Sequence, residues 1–464
     1  MKKVNLLAAA VLAAAFAMPA QADYTPNVNF SGYMRSGVSS QHVNGYATGL
    51  AGRLGAEQDT YGEIGLGTDV AKIDDTVWSV YTMFAYKTKI DGGSWQDNRA
   101  GADGNFGDDG ANAGHWSAAN GFRQYFVSVK GLMDWDKDAT IWVGKKYVRR
   151  EDIHITDNIY QDISGMGAGI DYMQVGPGKL SLAWVRHDFH NQKYINDNGD
   201  VLVLDGKENN WLSYHIFDVE YDLPAWDGAT LEFRGTVKLP KKDTDNKEYY
   251  TKANGSQAMM IELNQGYSLG WNKSVVRYIH GNVDQTGDAN SAPTKMGAQY
   301  NSIGGDATYN TWDNNSGDKN AYRWQFYNFG ETHFTENVGM FHVIAGTFAD
   351  GYDNNITSKD SDRAFQLVVR PYLKLTKMTR LLAEGGFFTS TDKYIDGSKV
   401  NKQVQKLTLA YALTPDAGNF WSRPEIRFYG TYLHSNGAYD LSEWGKAPQK
   451  NNAFVVGVQA EAWW

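Results

Sequence analysis

Several segments of this chain alternate between apolar and polar side chains with a period of two residues. Residues 230–239, 365–374, 425–432 and 454–464 follow this pattern, with apolar residues in one phase and mostly charged or amide residues in the other. A period of two is that of a β-strand, whereas a helix repeats every 3.6 residues. Strands of about ten residues with one apolar and one charged face are typical of a barrel that spans a membrane.

A soluble β-sandwich also alternates, so the pattern alone leaves that architecture open. Three features favour the barrel: charged residues lie deep within the strands, aromatic residues recur near strand ends, and Trp463-Trp464 ends the last strand. Long segments rich in Gly, Asn and Asp separate strands at 91–121, 189–210, 241–255 and 284–320. We therefore predict an all-β fold, a transmembrane antiparallel β-barrel with long extracellular loops and shorter turns at the opposite end.

The first residues predict export. Lys2 and Lys3 precede an apolar run from Leu6 to Met18, and Ala20-Gln21-Ala22 fits a signal-peptidase site. The run is shorter than the roughly twenty residues that span a bilayer. We predict a signal peptide over residues 1–22 and a single barrel domain over residues 23–464.

Composition excludes several kinds of chemistry. The 464 residues include no cysteine, which rules out disulfides and thiolate catalysis. Lys and Arg number 44 against 53 Asp and Glu, giving a net charge of −9, which argues against a nucleic-acid partner.

If the polar phase lines a water-filled lumen, several aromatic side chains share it. The in-phase pairs are Tyr33 with Arg35, Tyr61 with Glu63, Trp271 with Lys273, and Trp463 with Glu461. An aromatic face stacks on the apolar face of a pyranose, and charged groups exchange hydrogen bonds with its hydroxyls. This combination predicts a path for sugars. A lipid-facing girdle position is the alternative for each of these aromatic residues.

Residues 142–169 begin as a strand and then lose their alternation. The segment concentrates charge in a Gly-ended loop that contains Arg149, Arg150, Glu151, Asp152, His154, Asp157 and Asp162. In a wide barrel such a loop is predicted to fold inward, where opposed charges narrow the pore and bind polar cargo. A solvated surface loop is the alternative.

Several stretches carry a resemblance that covers the whole chain. They are 30–37, Arg53-Leu54-Gly55 through Tyr61 and Glu63, 142–169, 178–183, Arg370-Pro371, Trp421-Ser422-Arg423-Pro424 and Glu461-Ala462-Trp463-Trp464. With these, the sequence resembles the maltoporin family of carbohydrate porins. The resemblance implies an eighteen-stranded, trimeric barrel of the Gram-negative outer membrane. It also implies passive passage of linear oligosaccharides along an aromatic slide flanked by polar residues.

The resemblance also implies roles for individual residues. The slide comprises Tyr33, Tyr61, Trp271 and Trp463, with Trp95 reaching in from a neighbouring subunit, and the polar track comprises Arg35, Arg53, Glu63, Arg123, Arg150, Asp152, His154 and Asp157. Ile159 replaces the family's constriction tyrosine, and Leu375 stands where a slide tryptophan is expected. Alternation from Phe365 points Leu375 outward unless a bulge intervenes. Isoleucine narrows a pore but donates no hydroxyl hydrogen bond, so we expect maltose selectivity to be weakened or redirected.

No catalytic, cofactor or metal motif emerges. Asp152 and Asp157 are the best pair for a glycosidase, but the arginines around them suit binding better than proton donation. The histidines lack zinc-ligand spacing and no phosphate-binding glycine loop is present. Clusters such as 313–318 hold Ca²⁺ weakly at most, because their spacing does not match a dedicated calcium loop.

The sequence therefore predicts a porin without catalysis, whose partners are an oligosaccharide, outer-membrane lipid and further copies of itself. Two alternatives stay open. One is a general diffusion porin without sugar selectivity, and the other is a secreted, soluble β protein that binds or hydrolyses sugars.

Overall fold

The computed structural model describes residues 27–41, 43, 50–57, 60–87, 120–189, 193–195, 201–203, 212–240, 255–281, 320, 322–351, 359–437, 441–442 and 450–464. The strands within them are β1 (Val28–Ser39), β2 (Tyr61–Ile73), β3 (Thr76–Lys87), β4 (Asn120–Lys130), β5 (Thr140–Lys146), β6 (Glu151–Ile153), β7 (Asn158–Gln161), β8 (Gly165–Val175), β9 (Gly178–Phe189), β10 (Lys193–Ile195), β11 (Val201–Val203), β12 (Leu212–Trp226), β13 (Ala229–Pro240), β14 (Ser256–Tyr267), β15 (Gly270–Gly281), β16 (Tyr322–His333), β17 (Val338–Asp350), β18 (Lys359–Lys374), β19 (Thr379–Tyr394), β20 (Lys399–Leu413), β21 (Glu425–Ser435) and β22 (Asn452–Trp463). Within these ranges, no helix is long and apolar enough to cross a membrane.

Eighteen of the strands form one closed antiparallel sheet. Each barrel strand pairs with its neighbours in chain order, and β1 pairs with both β2 and β22, which closes the ring. The short hairpins β6–β7 and β10–β11 lie outside this sheet. The predicted all-β barrel is confirmed, as is the eighteen-strand count that the resemblance implies.

Side-chain burial follows the period of two that the sequence predicts. On β21, Glu425 and Arg427 are buried, whereas Ile426 and Phe428 are 43% and 48% exposed. A soluble protein of this size would bury its apolar phase, but here the charged phase points inward. In a closed barrel this arrangement turns the apolar side chains toward lipid and the charged ones toward the lumen.

Leu375 lies in the outward phase. The pairing of β17 with β18 runs from Ser361 to Leu373 without a register shift, so no bulge reverses the alternation. Leu375 follows directly after β18 and is 48% exposed. The side chain of Leu375 therefore does not line the lumen.

The two ends of the barrel differ in the length of their connections. Two-residue turns at 74–75, 176–177, 227–228 and 268–269 lie at one end, which we call the short-turn end. The four long polar segments predicted as loops join strands at the opposite, long-loop end. The predicted signal peptide, Trp95 and residues 313–318 lie outside the described residues.

The segment 50–57, between β1 and β2, packs against the inner face of β18–β21. Its backbone carbonyls accept hydrogen bonds from lumen-facing side chains: Gln366 Nε2 to Leu50 O (2.7 Å), Lys406 Nζ to Gly52 O (2.6 Å) and Thr408 Oγ1 to Leu54 O (3.1 Å). Leu50, Ala51 and Leu54 are almost completely buried there. This part of the wall is therefore covered by polypeptide.

Candidate functional site

Three aromatic residues meet on the lumen face where the barrel closes. Tyr33 of β1 lies directly opposite Trp463 of β22 in the strand register. The ring centroids of Tyr33 and Tyr61, on β2, are 6.0 Å apart. Alternation places all three on the charged face, in phase with Arg35 and Glu461.

A fourth ring, Trp421, connects this group to Trp271. Its centroid lies 6.3 Å from that of Trp463 and 6.5 Å from that of Trp271 on β15. These distances link Tyr61 to Tyr33, and Trp463 to Trp421 and Trp271, while the register of β1 with β22 places Tyr33 beside Trp463. We call this series of five rings the aromatic column.

Sequence reasoning assigned no lumen role to Trp421. The residue lies in the turn 414–424 between β20 and β21, where alternation no longer indicates a side-chain direction. The available signal was its presence in Trp421-Ser422-Arg423-Pro424, one of the stretches that carry the resemblance. The position of its ring follows from the tertiary fold of the turn.

Arg53 holds the tyrosine end of the column. Its Nη2 donates hydrogen bonds to Tyr33 Oη (2.9 Å), Glu57 Oε2 (2.8 Å) and Glu461 Oε1 (3.1 Å). Tyr33 Oη in turn donates to Glu461 Oε1 at 3.1 Å. Arg35 Nη1 donates to Glu57 Oε1 at 2.6 Å. Arg35 and Arg53 are only 4% and 6% exposed, so their main contacts are with Glu57, Glu461 and Tyr33. These contacts fix the position of the Tyr33 ring.

His154 packs between the aromatic column and two arginines. Its ring centroid lies 5.3 Å from Trp421 and 5.5 Å from Trp463. Nδ1 is 3.3 Å from Arg53 Nη1, and Nε2 is 3.3 Å from Arg423 Nη2. Burial, assisted by these guanidinium groups, holds the pKa of His154 well below its usual value despite the nearby Glu461. The imidazole is therefore neutral at neutral pH.

The segment 147–164, which contains the β6–β7 hairpin, contacts strands at several positions of the ring. Arg53 N donates to Ile155 O at 3.0 Å, and Arg277 Nη1 of β15 donates to Tyr160 O at 2.8 Å. Tyr160 Oη donates to Glu262 Oε2 of β14 at 2.6 Å. Contacts with the adjacent strands β14 and β15 and with the segment 50–57 tie the hairpin to the inner side of the wall.

The predicted polar residues of this segment differ in exposure. Asp152 is exposed and Arg150 is half-buried, with its guanidinium 5.1 Å from the Tyr147 ring centroid. Asp157 Oδ2 lies 3.7 Å from Arg35 Nη1. Ile159 is only 4% exposed.

Glu63 brings two phenols together on the lumen face. It accepts a hydrogen bond from Tyr61 Oη and another, at 2.9 Å, from Tyr147 Oη. Tyr147 was not among the predicted residues, because it lies where the alternation of β5 ends. Arg123 lies at the β-bulge that shifts the pairing of β3 with β4 and is half-buried.

Among the residues that the structure describes, no group of three or more His, Cys, Asp or Glu side chains is arranged to hold a metal ion.

The predicted aromatic residue Trp95 lies outside the described ranges, so the structure places four of the five predicted slide residues.

Comparison with known proteins identifies relatives across nearly the whole chain. Maltoporin 1 of Klebsiella pneumoniae subsp. pneumoniae is 32% identical over 99% of this chain and 98% of its own length. Maltoporin 2 of Yersinia pseudotuberculosis serotype O:1b is 32% identical over 94% of each chain. Among solved structures, OccAB2 of Acinetobacter baumannii aligns with a TM-score of 0.47 and 9% identity over 95% of this chain and 98% of that one. The sequence model of the LamB porin family matches residues 28–464, and the chain belongs to that family.

Proposed function

We propose that this chain is an outer-membrane porin for the passive diffusion of linear, neutral oligosaccharides such as maltodextrins. The observation that carries the proposal is the aromatic column on the lumen face, flanked by charged and amide side chains. Each ring offers an apolar surface to a pyranose, and the polar groups beside it exchange hydrogen bonds with sugar hydroxyls. Several weak contacts in series favour entry without trapping the cargo.

Ion pairing in the wall favours neutral cargo. Buried lumen-side arginines lie against carboxylates: Arg323 Nη2 to Asp362 Oδ2 is 2.9 Å, and Arg423 Nη2 to Glu461 Oε2 is 2.8 Å. Because such charges neutralise each other, the wall presents hydrogen-bonding groups without a large field of one sign. A polar, uncharged sugar suits that surface better than an ion does.

The assembly belongs to the same proposal. We place the long-loop end outside the cell and the short-turn end in the periplasm, as in bacterial barrels generally. The signal peptide 1–22 directs export, and three copies assemble so that Trp95 of a neighbouring subunit joins the column. The segment 147–164 narrows the pore, with Arg150, Asp152 and Asp157 offering polar contacts there.

Planar-bilayer recording with Trp271→Ala tests the function. Maltohexaose is expected to block the wild-type current, and Trp271→Ala should weaken the block by about tenfold, since a stacked aromatic ring contributes roughly 1–3 kcal/mol by analogy with base stacking. The control is Trp324→Ala, because Trp324 faces outward on β16 and is 48% exposed. A wild-type current indifferent to sugar would instead identify a general diffusion porin.

Liposome swelling tests the selectivity expected from Ile159. Wild-type channels should admit maltodextrins with no strong preference over other linear oligosaccharides of equal size, because isoleucine offers no hydroxyl. A strong maltodextrin preference in the wild-type protein would contradict this expectation.

A further inference from the structure

The outward face of the barrel carries basic side chains in one row across four neighbouring strands. Lys145 of β5 is the register partner of Met166 of β8, and Met166 is also the partner of Arg186 of β9. Arg186 in turn pairs with His215 of β12. We call these four residues the outer basic row. Each of them lies within three residues of the long-loop end of its strand.

The row lies at the edge of the apolar band of the barrel. Lys145 and Arg186 are exposed, as is Met166 between them. Val143 and Trp184 lie in the same outward phase, two residues nearer the short turns, and they are 60% and 48% exposed. A cation on the lipid face is costly at the bilayer midplane and is tolerated near the surface. The row therefore lies at the level of lipid headgroups rather than of acyl chains.

Trp184 fixes the imidazole of His215. Trp184 Nε1 donates a hydrogen bond to His215 Nδ1 at 3.1 Å, and the two ring centroids are 5.8 Å apart. Because an indole N–H can only donate, Nδ1 is the acceptor and the proton of the imidazole lies on Nε2. His215 therefore keeps an N–H donor at Nε2, on the strand next to Arg186.

Lys145 occupies the other end of the row. Its Nζ donates to Phe122 O at 2.8 Å, and an ammonium group has two further N–H donors. Lys145 and Arg186 are separated by two strand spacings, which places their backbones about 10 Å apart. A headgroup with a phosphate at each end of a disaccharide has the length to contact both cations.

Other parts of the outer rim are uncharged at the corresponding position. Tyr432 of β21 and Phe454 of β22 are register partners near the long-loop ends of their strands. They are 48% and 62% exposed, as expected of an aromatic girdle in contact with lipid. The positive charge on β5 and β9 is thus additional to the girdle, and it is complementary to an anionic headgroup.

We propose that the outer basic row binds the phosphate groups of lipopolysaccharide, the phosphorylated glycolipid of the outer leaflet. Lys145 and Arg186 pair with the phosphates, since ammonium and guanidinium groups form charge-assisted hydrogen bonds with phosphate oxygens. His215 Nε2 donates a further hydrogen bond. Met166 and Trp184 contact the acyl chains next to the headgroup. The inference goes beyond the sugar-porin function and requires of it only that the long-loop end faces outward.

The test is native mass spectrometry of the full-length barrel in detergent, titrated with diphosphoryl lipid A. Lys145→Gln with Arg186→Gln should lower the affinity by about thirtyfold, or about fivefold for each basic side chain lost at an anionic membrane surface. Lys145→Arg with Arg186→Lys keeps both charges and should bind nearly as tightly as the wild type. The matched control is Lys130→Gln with Lys137→Gln at the short-turn end, where the side chains are 57% and 45% exposed.

Further comparisons distinguish a lipid phosphate from other ligands. Lipid A without phosphates should bind the wild-type barrel as weakly as diphosphoryl lipid A binds the double Gln variant, and inorganic phosphate should not displace the lipid. Equal affinities of the wild type and the double Gln variant, or displacement by inorganic phosphate, would overturn the inference. Dissociation of the assembly in that variant with unchanged lipid affinity would also overturn it, by identifying the row as a contact between copies of the chain.

The sugar-porin function is tested by a separate result. The double Gln variant should show the same sugar block of the current as the wild type, because its substitutions lie on the lipid face. Absence of sugar block in the wild-type channel would contradict the porin proposal and leave the lipid-binding result unaffected.

Discussion

At the scale of single residues, buried ion pairs hold the loops to the wall. Glu384 on β19 accepts from Arg370 Nε at 2.7 Å, from Lys406 Nζ at 2.8 Å and from Leu54 N at 2.9 Å. Glu384, Arg370 and Lys406 are all at most 4% exposed. A charge removed from water this completely depends on its partners, so the loss of one leaves the others uncompensated.

Glu384→Ala should therefore destabilise the barrel by about 3–5 kcal/mol, because the cations of Arg370 and Lys406 stay buried without their carboxylate. Urea unfolding in lipid vesicles measures the change. Asp360→Ala is the matched control, since the Lys393–Asp360 pair has side chains 47% and 35% exposed. Surface pairs contribute less than about 1 kcal/mol. If the two substitutions lowered the free energy of unfolding equally, burial of the ion pair would not be what determines the loss of stability.

His154 should make the barrel less stable in acid. Its pKa in the folded barrel is held well below the usual value of about 6.5. Near pH 6.5 the histidine therefore binds a proton in the unfolded chain but not in the folded barrel. The free energy of unfolding should fall as the pH drops below about 6.5, by up to about 1.4 kcal/mol per pH unit until the folded-state pKa is reached. His154→Gln should flatten this slope between pH 7.5 and 5.5. The control is His434→Gln, because the His434 imidazole forms a hydrogen bond with Asn452 near the surface. An unchanged slope in His154→Gln would contradict the prediction that His154 causes the loss of stability in acid.

At the scale of elements, the segment 50–57 fits closely against the inner wall. Gly386 on β19 touches the backbone of Ala51, and a Cβ at position 386 would overlap the Ala51 carbonyl. Gly52 and Gly55 adopt φ values of +98° and +68°, which L side chains rarely adopt. Glycine at these points lets a loop and a strand approach within backbone contact.

Gly386→Ala should displace the segment 50–57 while leaving the ring of strands intact, since the clash is with backbone and the loop is easier to move than β19. Trypsin should then cut after Arg53, which is 6% exposed in the wild-type protein. The control is Gly235→Ala on β13, where a Cβ meets nothing within 4 Å. Resistance of the Gly386→Ala barrel at Arg53 would contradict the prediction.

In the molecule as a whole, the pairing of the first barrel strand with the last closes the sheet and leaves no open strand edge. Residues 33–39 of β1 pair with residues 457–463 of β22, and Gly32 exchanges two backbone hydrogen bonds with Trp464 at 3.0 Å and 3.2 Å. Within a bilayer an unpaired strand edge costs several kcal/mol per group, so only a closed barrel is stable. The same closure brings Tyr33 beside Glu461.

A cysteine pair tests this closure, because the natural chain has no cysteine. Val38 and Val458 are register partners on the outward phase, which puts their Cα atoms in the range that a disulfide requires. Val38→Cys with Val458→Cys should cross-link on oxidation in folded barrels. Val38→Cys with Phe454→Cys, about 13 Å out of register, should not. Cross-linking of both pairs, or of neither, would exclude the pairing of Val38 with Val458.

Alternation in the sequence is enough to indicate which face of strands such as 230–239 and 454–464 points toward water. Alternation placed Tyr33, Trp463, Glu425 and Arg427 on the inward phase and Leu375 on the outward phase, because the β-period depends only on local backbone geometry. The resemblance implied the number of strands and the family of the chain, and both were confirmed.

Which of those side chains are in contact depends on how the strands and turns come together in the closed barrel. Tyr33 and Glu461 are 428 positions apart in the chain, and their hydrogen bond exists because the ring closes. Trp421 joins Trp463 to Trp271 from a turn, where no period indicates a direction. Arg53 is predicted to belong to the polar track, and its side chain donates hydrogen bonds to Tyr33, Glu57 and Glu461, of which Tyr33 and Glu461 lie on other elements. Periodicity is a local property, whereas contacts across the lumen depend on strand register, closure and loops that fold back, which no single segment of sequence specifies.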